Sequence, residues 1–138
     1  MRQLQEELLI ETPGKALVDC TRHIAAFVGR SAIEEGLVTL FLRHTSASLL
    51  IQENADPDVL RDMETFFARL VPEEGRYRHA SEGPDDMPAH IRAALTQTSL
   101  SIPIRAGEMA LGTWQGIYLY EHRTRPHRRK LLIHLLGQ

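Results

Sequence analysis

Two runs constrain the fold more than anything else in the chain. Leu37-Val-Thr-Leu-Phe-Leu-Arg43 and Lys130-Leu-Leu-Ile-His-Leu-Leu136 are apolar on both alternating faces. A strand with one wet face alternates polar and apolar residues, and a strand covered on both sides does not. Both runs therefore predict buried strands. Leu4 to Thr12 reads as a further strand, closed by the turn signal Pro13-Gly14. Ser48 to Gln52 and Gly116 to His122 read as strands too. Leu100 to Ile104 is a short strand whose Pro103 points to an edge, and Ala106-Gly-Glu follows it as a turn.

Helical periodicity fills the spaces between. Asp19 can cap a helix to about Ile33, with Ile24, Phe27 and Val28 on one side and Gly36 ending the unit. Asp56-Pro57 is a strong start, a capping carboxylate followed by proline at the first helical position. Leu60, Met63, Phe66, Phe67 and Leu70 then step by 3 and 4 until Pro72 stops the helix. After an unpatterned loop from Pro72 to Asp86, a third helix runs through Ile91 and Leu95. The order β-α-β-β-α-α-β-β-β predicts α+β rather than a regular βαβ repeat.

A chain of 138 residues predicts one domain, residues 1–138, with a sizeable core. Its net charge of −2 and 6% aromatic content argue against nucleic acid. The lone Cys20 excludes an intrachain disulfide and a thiolate zinc finger. The acidic start is no signal peptide, and no run approaches 18 apolar residues, so no membrane is expected and a cytoplasmic location is the default.

Five segments can carry chemistry. His44, Thr45 and Ser46 follow a buried strand and emerge at its end, although Thr and Ser there can simply satisfy a turn. Gln52-Glu-Asn-Ala-Asp56 gathers two amides and two carboxylates at a helix start, where Asp56 also has a capping role. His79 and His90 bracket a loop containing Glu82, Asp85 and Asp86. Imidazole is the commonest metal ligand, yet a spacing of eleven is no known short zinc motif, and a solvated loop explains it equally well. Trp114 and Gln115 sit between Gly112 and Gly116, with Trp114 read as a packing anchor or a stacking face. Glu121 and His122 face opposite sides of their strand. The turn Arg123 to Lys130 is basic, either solvated or a phosphate clamp through arginine forks. His23 and His134 are expected to be structural, and Cys20 buried.

Taken together, His44-Thr-Ser-Ala-Ser-Leu, Glu53-Asn-Ala-Asp-Pro57, Asp85-Asp-Met-Pro-Ala-His90, Ser101-Ile-Pro-Ile and Leu111-Gly-Thr-Trp-Gln-Gly116 resemble the YjbQ-type proteins. This family is often named secondary thiamine-phosphate synthases. The resemblance spans about residues 4 to 136. It implies a compact α+β domain with a mixed or antiparallel sheet and about three helices, assembled as a homotrimer with pockets near the subunit interfaces. It also implies a histidine-rich metal site, with His44, Asn54, Asp56, His79, Asp86, His90 and Gln115 in the pocket. Many members carry Asn where Asp86 stands, and a Glu-Phe-Asp-Gly-Pro-Arg run where this chain has Glu121-His-Arg-Thr-Arg-Pro-His-Arg.

The expected centre is a divalent metal, zinc by donor type, on His44, His79 and His90. Asn54, Asp56, Asp86 and Gln115 are the expected catalytic groups around it. Thr45, Ser46, Arg125 and Arg128 are candidate phosphate contacts for a small, phosphorylated substrate. The family name implies thiamine-phosphate synthase chemistry, the joining of a pyrimidine diphosphate to a thiazole phosphate. A metal-dependent hydrolase and a non-catalytic ligand-binding trimer are the alternatives.

Overall fold

The computed structural model describes residues 1–138. Its elements are β1 (Arg2–Thr12), β2 (Ala16–Asp19), α1 (Thr21–Ser31), β3 (Glu35–Leu42), β4 (Ala47–Glu53), α2 (Pro57–Leu70), α3 (Asp86–Leu95), β5 (Ser99–Arg105), β6 (Glu108–Met109), β7 (Gln115–Glu121) and β8 (His127–Gly137). The predicted α+β class and three helices are present in a single compact domain. The strands form two antiparallel sheets, ordered β1-β8-β3-β5-β6 and β2-β7-β4. The doubly apolar runs are β3 and β8, which pair in the middle of the larger sheet. β5 has only the two-residue β6 beyond it, so Pro103 stands almost at an edge, as its missing N–H requires.

The main core lies between the sheets. Val38, Leu40 and Leu42 of β3 and Leu131, Ile133 and Leu135 of β8 face inward against Leu49, Ile117 and Leu119 of the smaller sheet, with Ile24 and Val28 of α1 in the same cluster. The other face of the smaller sheet is covered by α2, whose Leu60, Met63 and Phe67 pack on Leu50, Tyr118 and Tyr120. The smaller sheet is thus covered on both sides, and the outer face of the larger sheet is open. Phe41, Leu37, Leu9 and Leu136 stand exposed, so β3 and β8 are covered on one face only, where their doubly apolar runs predict cover on both.

Several local expectations are corrected. The strand β2 and the short β6 have no counterpart in the sequence pattern, and the sheet divides in two. Helix α1 starts at Thr21, with Asp19 accepting from the Thr21 N–H and hydroxyl, and ends at Ser31 where Ala32 turns left-handed at φ 58°. Gly36 ends nothing. It lies inside β3 opposite Gly137, where a Cβ would come within 2.3 Å of the Leu136 carbonyl oxygen. Trp114 anchors no packing, since 62% of it is exposed. Cys20 is buried, as expected.

Candidate functional site

The site forms where α3 crosses the start of β4. Asp86 opens α3, and His90 lies one turn on, so the i, i+4 relation puts both on one face. The loop after Pro72 returns His79 to the same carboxylate. His79 Nε2 is 2.6 Å from Asp86 Oδ2, and His90 Nε2 is 3.3 Å from the same oxygen. The two imidazole rings stand edge to face, 5.4 Å between centroids. One donor atom from each of the three residues lies within 4.8 Å of the others.

The orientation of His90 carries chemical information. Its Nδ1 is 2.8 Å from the Thr45 carbonyl oxygen, which can only accept. In the neutral ring the proton sits on Nδ1 and Nε2 presents a lone pair to Asp86 Oδ2; in the imidazolium both nitrogens donate, one to each acceptor. Two electron-rich atoms at this distance repel unless a cation or a proton lies between them. A backbone carbonyl fixing the outer ring nitrogen is also the usual way in which a metal-ligating histidine is oriented.

Asp86 itself is 1% exposed. Burial pushes its pKa up, but the His79 hydrogen bond and the charges of His90 and Arg123 outweigh that and hold it below the usual carboxylate range. Arg123 organises the acidic loop. Its Nη1 binds Asp86 Oδ1 at 2.9 Å, its Nε binds Asp85 Oδ2 at 2.9 Å, and its Nη2 donates to the Glu82 carbonyl at 3.0 Å. Asp85 also accepts the Thr124 N–H. Burial works against the charged form of Asp85, yet these donors bring its pKa down to about 2. In sequence Arg123 is only one of several basic residues. The adjacent carboxylates Asp85 and Asp86 are the signal that a cation has to face them.

His44 lies outside this cluster. Its Nε2 accepts the Lys130 N–H at 2.7 Å, and its Nδ1 is 3.4 Å from Arg129 Nη1. Burial, and then the charge of Arg129, lower its pKa. Thr45 meets the cluster only through its carbonyl oxygen. Ser46 Oγ accepts from Arg129 Nη2 at 3.0 Å. Arg129 is clamped behind it by Glu121, a carboxylate with no exposure, which also receives the Thr12 hydroxyl and the Arg123 N–H.

Asn54, Asp56 and Gln115 gather at the opposite end of β4. Glu53 pairs with Gln115 there, whereas Ala47 pairs with Glu121 at the near end, a separation of roughly 20 Å along an extended strand. Asp56 caps α2 through the Asp58 N–H at 2.9 Å. The Gln115 side chain accepts the Gly112 N–H at 2.7 Å. Arg125 and Arg128 are exposed in the basic turn, with Arg128 Nε 3.7 Å from Glu11 and His127 Nδ1 on the Arg125 carbonyl.

The strand β7 also delivers a group that its sequence does not single out for the interior. Glu121 and His122 do face opposite sides, but both sides are buried. His122 Nε2 is 2.8 Å from the Ser48 hydroxyl, which the Thr96 hydroxyl also approaches at 2.6 Å. Burial, then the Arg92 charge, lowers the His122 pKa to about 3.

Comparison with known proteins agrees with this architecture. A family model described as UPF0047 protein YjbQ-like matches residues 6–138. The UPF0047 protein sll1880 of Synechocystis sp. is 60% identical over 138 residues, covering 99% of this chain and 94% of that protein. The UPF0047 protein YjbQ of Escherichia coli O157:H7 is 50% identical over 103 residues, 75% of each. Among solved structures, an uncharacterised conserved YjbQ/UPF0047 protein of Clostridium acetobutylicum superposes with a TM-score of 0.89 at 36% identity, covering 95% of this chain and 99% of that one. A conserved hypothetical protein of Thermus thermophilus gives 0.85 at 33% identity over 95% of this chain and 99% of its own.

Proposed function

The chain belongs to the UPF0047 YjbQ-like family, a family of unknown function, and for this member we propose a metal-dependent hydrolase centred on His79, Asp86 and His90. The observation that carries the proposal is the convergence of one donor atom each from His79, Asp86 and His90 within 4.8 Å, with the Asp86 carboxylate buried and the outer His90 nitrogen held on the Thr45 carbonyl. A divalent cation uses every donor present. Two imidazoles and one carboxylate suit zinc and its neighbours, the set found in hydrolytic zinc sites, with coordination positions left for water and substrate. Such an ion supplies Lewis acidity toward a phosphoryl or carbonyl oxygen and acidifies a water. The residues around it do the positioning. Thr45 holds the His90 ring, and Arg123 holds Asp85, Asp86 and the 82–86 loop.

Thiamine-phosphate synthesis has less support from this donor set. A pyrophosphate leaving group usually travels with magnesium, which prefers oxygen ligands, and two of the three donors here are imidazoles. We also infer a homotrimer. Its support is the open apolar face of Leu9, Leu37, Phe41 and Leu136 on the larger sheet, together with the distance of Asn54 and Gln115 from the cluster in one chain. Sedimentation tests the assembly, and a monomer at all concentrations overturns it. No helix is long and apolar enough to cross a membrane.

The metal centre is tested on protein made without a histidine tag. Zinc titration by calorimetry is expected to give one site per chain, lost in His90→Ala. Absence of zinc, cobalt and manganese binding by the wild-type protein overturns the proposal. Metal-dependent turnover in a phosphoester screen, removed by chelation, is the expected activity.

A further inference from the structure

A second group of donors lies beside the cluster without an acceptor to receive it. His44 Nε2 accepts the Lys130 N–H at 2.7 Å, so this nitrogen carries no proton. The single proton of the ring is on Nδ1. That nitrogen faces Arg129 Nη1 at 3.4 Å, so the two are both donors and do not satisfy each other. Arg129 is 4% exposed, and its Nε and Nη2 are spent on Glu121 and Ser46, leaving Nη1 with no acceptor in the protein. The Ser46 hydroxyl oxygen accepts from Arg129, which frees its own proton to point outward. The hydroxyls of Thr45 and Thr98 border the same space, a cleft of about 540 Å³ also bounded by Arg43. No carboxylate lines this cleft. Glu121, the nearest buried acid, is turned away and fully used by Thr12, Arg123 and Arg129.

We propose that this cleft is an oxyanion subsite that takes a tetrahedral phosphate group through His44 Nδ1–H, Arg129 Nη1–H and the hydroxyls of Thr45, Ser46 and Thr98. Donors from a buried arginine are stronger toward an anion than toward water, because the hydrogen bonds are charge-assisted and the fork is already oriented. A tetrahedral oxyanion offers several acceptor oxygens to this convergent set. A cation would meet only donors there.

The subsite deepens the reading of the His79–Asp86–His90 cluster as a catalytic centre, and rests on it only for the identity of the reacting end. The segment 44–46 belongs to both. Its Thr45 carbonyl orients His90, and its side chains line the anion cleft. The substrate class is therefore a small phosphorylated molecule, recognised through its phosphate.

Inorganic phosphate titrated into metal-free wild-type protein by calorimetry tests this directly. Saturable binding with one site per chain is expected. His44→Leu is expected to weaken it roughly tenfold or more, the loss of one hydrogen bond to a charged group. Thr98→Val, a near-isosteric change at an exposed position, is expected to weaken it severalfold and carries the test if His44→Leu does not fold. His90→Ala is expected to keep phosphate affinity while losing zinc. A phosphorylated probe such as p-nitrophenyl phosphate is expected to compete with inorganic phosphate. Wild-type protein without saturable phosphate binding in the millimolar range overturns the proposal. So does unchanged affinity in both Thr98→Val and a folded His44→Leu. Phosphate binding in a protein that takes up no metal supports the subsite and overturns the metal centre, so the two readings fail separately.

Discussion

The molecule holds two buried carboxylates, and their surroundings differ in a way that separates support from chemistry. Glu121 has no exposure, and both its oxygens are taken by fixed donors, from Arg129, Thr12 and the Arg123 backbone. Nothing in that arrangement can accept a further partner. Asp86 is as deeply placed, but one oxygen faces two imidazoles that are themselves partly exposed, at 47% and 30% of their side chains. One carboxylate is saturated from within. The other is fixed by Arg123 on its inner oxygen and turned toward solvent-reachable nitrogen donors on its outer one. A group of the first kind stabilises or costs stability, whereas a group of the second kind can bind.

The sharpest way to break this distinction is to remove one partner at each place. Arg129→Met leaves Glu121 buried without its counter-charge and is expected to cost about 3–5 kcal/mol in chemical denaturation. A loss below about 1 kcal/mol would show that Glu121 is neutral or hydrated, and that the saturated network is not structural. His122 gives the next effect. Its folded pKa is about 3 against an ordinary 6.5, so the unfolded chain takes up a proton as pH falls through 6.5 and the native one does not. Stability is flat above that value and declines below it, by roughly 2–3 kcal/mol at pH 4.5. His122→Gln is expected to flatten the stability profile between pH 4.5 and 6.5, and an unchanged slope there would contradict the buried neutral imidazole. Asp86→Asn comes third. It keeps shape and most hydrogen bonds but removes the anionic ligand, so zinc affinity is expected to fall by about 10–100-fold or more, while the melting curve moves far less than for Arg129→Met. Equal damage to stability and metal binding would erase the contrast.

Much of the scaffold was legible. Asp56-Pro57 and the 3–4 stepping of Leu60, Met63 and Phe67 located α2, and the doubly apolar runs located the paired central strands β3 and β8. What escaped was pairing. Periodicity says which faces are apolar but not which strand lies alongside, so neither the split into two sheets nor the four-residue β2 could be read. The relation of Asp86 to His90 is local, four residues apart on one helix, and needs only the helix start to be placed. The approach of His79 depends on a loop path, and the role of Arg123 on a contact 38 residues away in sequence. Residue type alone groups His44 with the other histidines, because hydrogen-bond partners are not visible in a sequence. Its bond to the Lys130 backbone spans 86 residues.

The smallest expected effect tests the far end of β4. By sequence Asp56 is a candidate catalytic group, and in the fold its carboxylate accepts the Asp58 N–H at the start of α2. An N-cap carboxylate satisfies one of the free amides of the first turn and favours the helix dipole. Asp56→Ala is therefore expected to cost about 1 kcal/mol of stability, measured by urea denaturation. Asp56→Ser, which caps nearly as well, is expected to recover most of that loss. Neither change should alter zinc affinity in a single chain, because the capping site lies a strand length from His90. If Asp56→Ser folds like the wild type and yet loses turnover, the carboxylate has a second role that one chain does not display. A neighbouring subunit delivering its α2 end to the His79–Asp86–His90 cluster is then the arrangement that accounts for it, and the trimer becomes part of the site rather than its support.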